Sequence, residues 1–142
     1  MTAYDNDNVF AKVMRGELPC EKVFENKKTV VIMDIMPRCD GHVLVIPKKP
    51  SRNLLDIKQK DAAAVIKTAR KMAKAVKKAF GADGVTVQQF NESAGGQVIF
   101  HTHMHIIPRM DGIRMGPPAS EMADAAVLKA NADKIRAVLA ET

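Results

Sequence analysis

The sequence has few cysteines and no long hydrophobic run, and each shortage excludes a class of protein. Its two cysteines, Cys20 and Cys39, lie far apart and form no CxxC pair, which fits reduced thiols in a cytosolic chain better than a disulfide framework. No segment approaches the roughly 18 uncharged apolar residues that a membrane span requires. The opening residues MTAYDNDNVF contain two aspartates and no apolar stretch, so no secretory signal is expected. We therefore expect a cytoplasmic protein without a membrane partner.

Aromatic residues are also scarce, at 4% of the chain, whereas basic residues are abundant. The net charge of +6 and the pI near 9.4 favour an anionic partner, such as a nucleotide or a nucleic acid. Much of the charge lies between Lys58 and Lys78, in a segment without aromatic residues that could stack on bases. We interpret this segment as the solvated face of a helix, so a nucleic-acid partner is not expected.

The apolar pattern predicts a single α+β domain over residues 1–142, with a helical tail at about 118–142. Asn8 can cap a short helix, VFAKVMR, that ends at Gly16. Apolar residues at intervals of three and four predict two more helices, one from Asp61 and one from Ser120. The loop NESAGG is too polar and glycine-rich for regular structure. Segments rich in β-branched and apolar residues predict about five mostly antiparallel strands: KVFEN, TVVIMDI, HVLVIP, VTVQQF and QVIFHTHMHIIP.

Three of the four histidines stand at alternate positions of one segment: His101, His103 and His105. Successive side chains of a strand point to opposite faces, so a strand here would place all three imidazoles on one face. Packing explains most single histidines but accounts poorly for this row. A row of imidazoles suits a polyphosphate, because the central one can attack phosphorus while its neighbours donate hydrogen bonds to the oxygens. Gly95 and Gly96, just upstream, would let backbone amides approach an anion.

A metal site is the main competing interpretation of the row, since neutral imidazole is a common zinc ligand. Alternate strand residues lie about 6.6 Å apart, so His101 and His105 would be about 13 Å apart at Cα and could hardly meet at one ion. Two of the three could bind a metal with help from elsewhere, but the strand contains no Cys, Asp or Glu. We therefore expect no metal and no other cofactor.

The segment QVIFHTHMHIIP resembles the signature of the histidine triad (HIT) family, in which three histidines alternate with hydrophobic residues. Small Hint-like and bacterial members are the most similar in appearance. The resemblance implies a nucleotide hydrolase or transferase that acts on an α-phosphate through a nucleotidyl-histidine. It covers roughly residues 8–110, because further segments look like family segments in the expected order: FAKVMRGELPCEKVFEN, VVIMDIMPRCDGHVLVIPK and NESAGGQ.

The resemblance also implies roles for individual residues. His103 would be the nucleophile, and His101 and His105 would orient it and contact the phosphate or the leaving group. His42, in GHVLVIPK, would complete the site. Asp34 would hold the ribose hydroxyls, which a carboxylate can do by accepting two hydrogen bonds. Other positions match residues that line the purine pocket or lie near the ribose and phosphate, although core packing explains the apolar ones equally well: Phe10, Val13, Leu18, Ile35, Asn91 and Gln97.

Three features depart from the family pattern. Val98 stands at a substrate-binding position where many relatives have a Ser or Thr hydroxyl near the leaving group, so a proton delivered by that hydroxyl must come from elsewhere here. The N-terminal cysteines with which some bacterial members bind a structural zinc are missing. The tail after Arg109 lacks the tryptophan that some Hint-type enzymes bring into their partner's site, which leaves the leaving-group preference open.

We therefore predict a nucleotidyl hydrolase or transferase that cleaves purine nucleoside phosphoramidates or dinucleoside polyphosphates in two displacements. The resemblance further implies a homodimer in which the helix at 61–80 and the strand VTVQQF meet their symmetry mates, so that one sheet continues across both subunits. Two alternatives stay open: a purine-nucleotide-binding or regulatory protein with incidental turnover, and a nucleic-acid end-processing enzyme.

Overall fold

Five strands form one sheet in the computed structural model of the protein, which describes residues 3–142. They are β1 (Lys22–Glu25), β2 (Thr29–Met33), β3 (Val43–Pro47), β4 (Gly84–Gln88) and β5 (Met104–Arg109). The strand order is β1-β2-β3-β5-β4, and every neighbouring pair is antiparallel. The predicted α+β class with about five antiparallel strands is confirmed.

Three helices accompany the sheet: α1 (Val9–Met14), α2 (Gln59–Ala79) and α3 (Ala125–Ala140). Asn8 caps α1 as predicted, since its side chain accepts a hydrogen bond from the backbone N–H of Ala11. The last helix begins later than the predicted Ser120, because Asp124 is its cap and accepts from the N–H of Ala126. The loop NESAGG was wrongly expected to lack regular structure, since Ser93–Gly95 forms one turn of 3₁₀ helix.

The two faces of the sheet are covered by different helices. On one face, Val31, Val43 and Ile106 belong to the large core that α2 and α3 complete. On the other face, Ile32 and Leu44 pack with residues of α1 in a smaller core. Because alternate residues point to opposite faces, β2 and β3 are buried on both sides, which accounts for their uninterrupted apolar sequences.

The last strand is shorter than predicted, which corrects the geometry of the histidine row. β5 begins at Met104, so only His105 of the three histidines lies within it. Pro47 ends β3 and has no N–H for a further ladder bond, and β3 pairs with β5 over only three residues. Before β5 the chain contacts a loop instead, because the N–H of Thr102 donates to the carbonyl of Ser51 at 2.9 Å.

β4 forms an edge of the sheet, since its neighbour in the strand order is β5 alone. Its Val87 side chain is 47% exposed. An apolar edge strand is a surface that proteins commonly cover by pairing, and the homodimer stays a prediction. No helix among residues 3–142 combines the length and the apolar character needed to cross a membrane.

Candidate active site

All four histidines of the chain meet on the face of the sheet that α1 covers. His105 lies in β5 opposite a residue of the smaller core, and His42 comes directly before β3. The ring centroids of His42 and His105 are 5.1 Å apart, as are those of His103 and His105. Phe10 of α1 packs edge-on against His103 at 4.7 Å and against His101 at 6.3 Å. The structure therefore brings together the four histidines predicted to form the site.

The hydrogen bonds of His42 define where its proton lies. The backbone N–H of Arg38 donates to His42 Nδ1 at 3.1 Å, so we assign the proton of the neutral ring to Nε2. That nitrogen lies 2.9 Å from His105 Nδ1 and 3.4 Å from Asp34 Oδ2. Since a carboxylate only accepts, Nε2–H of His42 donates within this group, and its shorter bond is to His105. His105 then carries its own proton on Nε2.

His103 has the opposite tautomer from His42 and His105. Its Nδ1 lies 2.6 Å from the carbonyl oxygen of His101, and a carbonyl oxygen only accepts hydrogen bonds. Nδ1 of His103 therefore carries the proton, and Nε2 keeps the lone pair. No side chain or backbone group of residues 3–142 forms a hydrogen bond with this Nε2. An unprotonated ring nitrogen without a protein partner is the form of imidazole that can attack phosphorus.

His101 is fully buried and anchored at both ring nitrogens. Its Nε2 donates to the carbonyl oxygen of Pro47 at 2.8 Å, at the end of β3. Its Nδ1 lies 2.5 Å from the hydroxyl of Tyr4. Because it is fully buried, His101 acts on its surroundings through these bonds and through its carbonyl oxygen. Its predicted contact with the phosphate or leaving group is not favoured by this placement.

Burial keeps the imidazoles of the site neutral. It lowers the pKa of His42 and of His101 to about 4, and for His42 the nearby guanidinium of Arg38 adds to the effect. The pKa of His105 falls to about 3, through burial and then through its histidine neighbours. Burial also lowers the pKa of His103, although its hydrogen bond to the carbonyl of His101 opposes the shift. Each ring therefore offers one N–H and one lone pair at neutral pH, as the assigned tautomers require.

One group within residues 3–142 has the spacing of a metal site, and it was not expected from the sequence. Ligand atoms of Asp34, His42 and His105 lie within 4.8 Å of one another, because Asp34 at the end of β2 approaches the two histidines. A neutral histidine binds metal through one nitrogen and keeps its proton on the other. In His42 the other nitrogen already accepts the N–H of Arg38, so Nε2 has no lone pair to offer. The hydrogen bonding therefore favours a proton relay over a metal at this position.

The predicted residues Asn91 and Gln97 hold the loop that leads into the histidine row. The side-chain oxygen of Asn91 accepts the backbone N–H of Leu54 at 2.8 Å. Gln97 is buried, and its oxygen accepts from Asn53 Nδ2 and from the N–H of Glu92. Its Nε2 donates to two backbone carbonyls. The amide of Gln97 is thus occupied by protein groups, and direct substrate contact by Asn91 and Gln97 stays a prediction.

Glu92 and Arg52 belong to the same loop network, and sequence reasoning missed both. Glu92 has φ 65° and ψ 163°, a backbone region that is essentially restricted to glycine. Its carboxylate receives two hydrogen bonds from Arg52, at 2.8 and 3.0 Å, and one from Asn53. The guanidinium of Arg52 also stacks 4.1 Å from the ring centre of Phe100. Protein groups therefore hold the loop before the row through these contacts.

The predicted pocket residues differ in how accessible they are. Leu18 is 39% exposed, Ile35 37% and Val98 84%, so these side chains are available to a substrate. Phe10 is buried against the histidines, and Val13 packs beside it in the smaller core. Phe10 therefore packs against the histidine rings, and the purine contacts of the whole set stay predictions.

Comparison with known proteins agrees with this geometry. A family model described as the HIT domain matches residues 15–112. The chain belongs to the HIT domain family. Adenylylsulfatase HINT3 of Arabidopsis thaliana is 42% identical over 106 residues, which cover 75% of this chain and 54% of that protein. Adenosine 5'-monophosphoramidase HNT1 of Saccharomyces cerevisiae is 34% identical over 116 residues, covering 80% and 71%. The chain thus spans about half the length of HINT3.

A solved HIT structure extends the likeness over nearly the whole chain. The crystal structure of a Hit-like protein involved in cell-cycle regulation from Bartonella henselae has a TM-score of 0.92 and 52% identity. The match covers 96% of this chain and 99% of that one. The HIT family model, by contrast, begins at residue 15, so it includes Asp34, His42 and the histidine row but not the segment that holds Tyr4 and Phe10.

Proposed function

We propose that this HIT protein is a nucleotidyl hydrolase or transferase that cleaves purine nucleoside phosphoramidates or dinucleoside polyphosphates at the α-phosphate. The observation that carries the proposal is the tautomer of His103, whose Nδ1–H is held by the carbonyl of His101 while Nε2 keeps its lone pair. The names of the relatives HINT3 and HNT1 support adenylyl compounds as the substrate class. The partner is thus a purine nucleotide, and we further propose a cytoplasmic homodimer.

The reaction would proceed in two displacements. In the first, His103 Nε2 forms a bond to the α-phosphorus as the bond from phosphorus to the leaving nitrogen or oxygen breaks. In the second, water attacks the same phosphorus, the phosphorus–nitrogen bond breaks, and the freed nucleotide leaves His103 neutral. Covalent catalysis of this kind replaces one difficult step by two easier ones.

His105 and His42 would supply the hydrogen bond that stabilises charge on the phosphate. His42 Nε2–H donates to His105 Nδ1 at 2.9 Å, which leaves Nε2–H of His105 to donate to a phosphoryl oxygen or to the leaving group. Asp34 lies beside both rings, at 3.4 Å from His42 and 3.9 Å from His105, and stabilises positive charge that develops on them. The relay needs no hydroxyl at position 98, where this chain has valine.

The test is to trap the intermediate. The enzyme would be mixed with a substrate labelled in the nucleoside, stopped with alkali because phosphorus–nitrogen bonds are labile to acid, and digested. We expect label on the peptide that contains HTHMH. His103→Ala should abolish both label and turnover, whereas His105→Ala should slow labelling without moving it.

Stereochemistry gives an independent check of the two displacements. A substrate with a chiral phosphorothioate should react with net retention, since two inversions at phosphorus cancel. Net inversion would show direct attack by water and would overturn the proposal. A panel of adenosine phosphoramidate, adenylyl sulfate and diadenosine tri- and tetraphosphates would identify the leaving group, and nicked adenylated DNA would test the end-processing alternative.

A further inference from the structure

Tyr4, the only tyrosine of the chain, contacts the buried end of the histidine row. Its hydroxyl lies 2.5 Å from His101 Nδ1, and its ring packs edge-on against the imidazole at a centroid distance of 5.6 Å. Asn8 Nδ2 donates to the same hydroxyl oxygen at 2.8 Å. The contact joins residues that are 97 positions apart in sequence.

The direction of the bond between Tyr4 and His101 follows from the other partners. His101 Nε2 must carry the proton, because it faces the carbonyl oxygen of Pro47 at 2.8 Å. The lone pair of His101 therefore lies on Nδ1. The Tyr4 oxygen already accepts from Asn8, so its own O–H is the proton that reaches Nδ1. The O–H of Tyr4 and the Nε2–H of His101 thus each have one acceptor, His101 Nδ1 and the carbonyl oxygen of Pro47.

The hydrogen bonds continue from His101 to His103, the proposed nucleophile. The carbonyl oxygen of His101 accepts a hydrogen bond from His103 Nδ1–H at 2.6 Å. A ring fixed at both nitrogens allows little rotation of its own backbone, so the carbonyl stays in place. The orientation of His103 thus depends on Tyr4 through two consecutive hydrogen bonds.

We propose that Tyr4 is a positioning residue of the active site, which fixes the orientation of His101 and its carbonyl oxygen and through them the tautomer of His103 and the direction of its lone pair. This inference rests on the proposed function, in which that lone pair attacks phosphorus. Tyr4 contacts His101 on the side of α1 and does not touch the reacting atoms. Its removal should therefore lower kcat rather than weaken substrate binding.

The test is Tyr4→Phe, which removes one hydroxyl and leaves the ring. We expect kcat to fall about tenfold, the effect of one lost hydrogen bond to a buried group, with KM changed by less than about twofold. The imidazole nitrogen signals of ligand-free protein give a readout without turnover. Wild type should show a single tautomer at His103, protonated on Nδ1, and the variant should show a mixture of His103 tautomers.

Two matched proteins separate positioning from general damage to the N-terminal segment. Val9→Ala truncates a side chain of α1 that is 41% exposed, and it should leave kcat and the His103 signals unchanged. Because the chain has one tyrosine, growth on fluorotyrosine labels position 4 alone. That protein keeps the O–H and should retain a kcat close to that of wild type.

The outcomes distinguish this inference from the proposed function. If wild type never becomes labelled on His103, the proposed function fails, and the nitrogen signals of His103 still decide the role of Tyr4. If Tyr4→Phe shows unchanged kcat with a single His103 tautomer, the role of Tyr4 is refuted. A raised KM with unchanged kcat would also refute it, since it would indicate a binding role.

Discussion

Mild acid should destabilise this protein strongly, because its four histidines all lie in one site. His42 and His101 have a pKa of about 4 in the folded protein, whereas an imidazole in the unfolded chain has its ordinary value of 6.5. A lowered histidine pKa means that the unfolded chain takes up protons first. The stabilisation is therefore complete above pH 6.5 and is lost as the pH falls from 6.5 towards 4.

The size of the effect follows from the two pKa values. Between pH 7 and pH 5, each of these two histidines becomes protonated in the unfolded chain while it stays neutral in the folded one. Linkage then lowers the free energy of unfolding by about 2 kcal/mol for each, or about 4 kcal/mol for both. His103 and His105 act in the same direction. A loss of this size is a large fraction of the stability of an ordinary domain.

Urea unfolding at pH 7, 6 and 5, at constant ionic strength and followed by far-UV circular dichroism, measures the loss. The carboxyl groups whose pKa is lowered by neighbouring cations, Glu17, Glu25, Glu92 and Asp133, lose their stabilisation mainly below about pH 4.5, outside this range. His101→Gln removes one titrating ring, so its loss between pH 7 and pH 5 should be smaller by about 2 kcal/mol. Stability that is flat over this range would show that the folded histidines titrate near the ordinary value of 6.5 and would refute the lowering of their pKa by burial.

Three further predictions concern the substrate, the assembly and the loop before the row. Asp34→Asn should weaken ribonucleotide binding about tenfold by calorimetry and deoxynucleotide binding less, whereas equal losses would show that Asp34 does not hold the ribose hydroxyls. The protein should be a dimer by light scattering at micromolar concentration. Val87→Lys, on the exposed edge strand β4, should shift it towards monomer. A monomeric wild type would contradict the proposed assembly. Glu92→Gly should melt at a higher temperature than Glu92→Ala, because only glycine adopts φ 65° and ψ 163° without strain, and the reverse order would show that this backbone is unstrained.

The elements of the fold could be predicted from the sequence wherever a periodic pattern was long. The apolar period of α2 and the β-branched runs of β2 and β3 gave the right element types, and Asn8 gave the right cap. The ends were less predictable. β5 starts at Met104, because Pro47 cannot extend the ladder and Thr102 bonds to Ser51 in another loop. That boundary depends on a partner about 50 residues away, which no local pattern reports.

Some residues of the candidate site could also be predicted from the sequence, and others could not. Alternate spacing marked the three histidines, and the family resemblance added His42 and Asp34, all of which the structure places in one cluster. The groups that set the tautomers left no such signal. The carbonyl of Pro47 and the N–H of Arg38 are backbone atoms, whose position depends on the fold and not on the residue type. Tyr4 is a lone residue near the start of the chain, and only its contact with His101 shows its importance.

The donor that fixes the tautomer of His42 is a main-chain N–H, and this affects which substitutions position 38 can accept. Any amino acid except proline supplies that N–H, so position 38 can change its side chain while the proton order of the relay is inherited intact. Arg38 itself uses its guanidinium elsewhere, on the carbonyl of Gly116 at 2.9 Å. Among homologues, this contact would be recognised by the absence of proline at a position that otherwise varies freely.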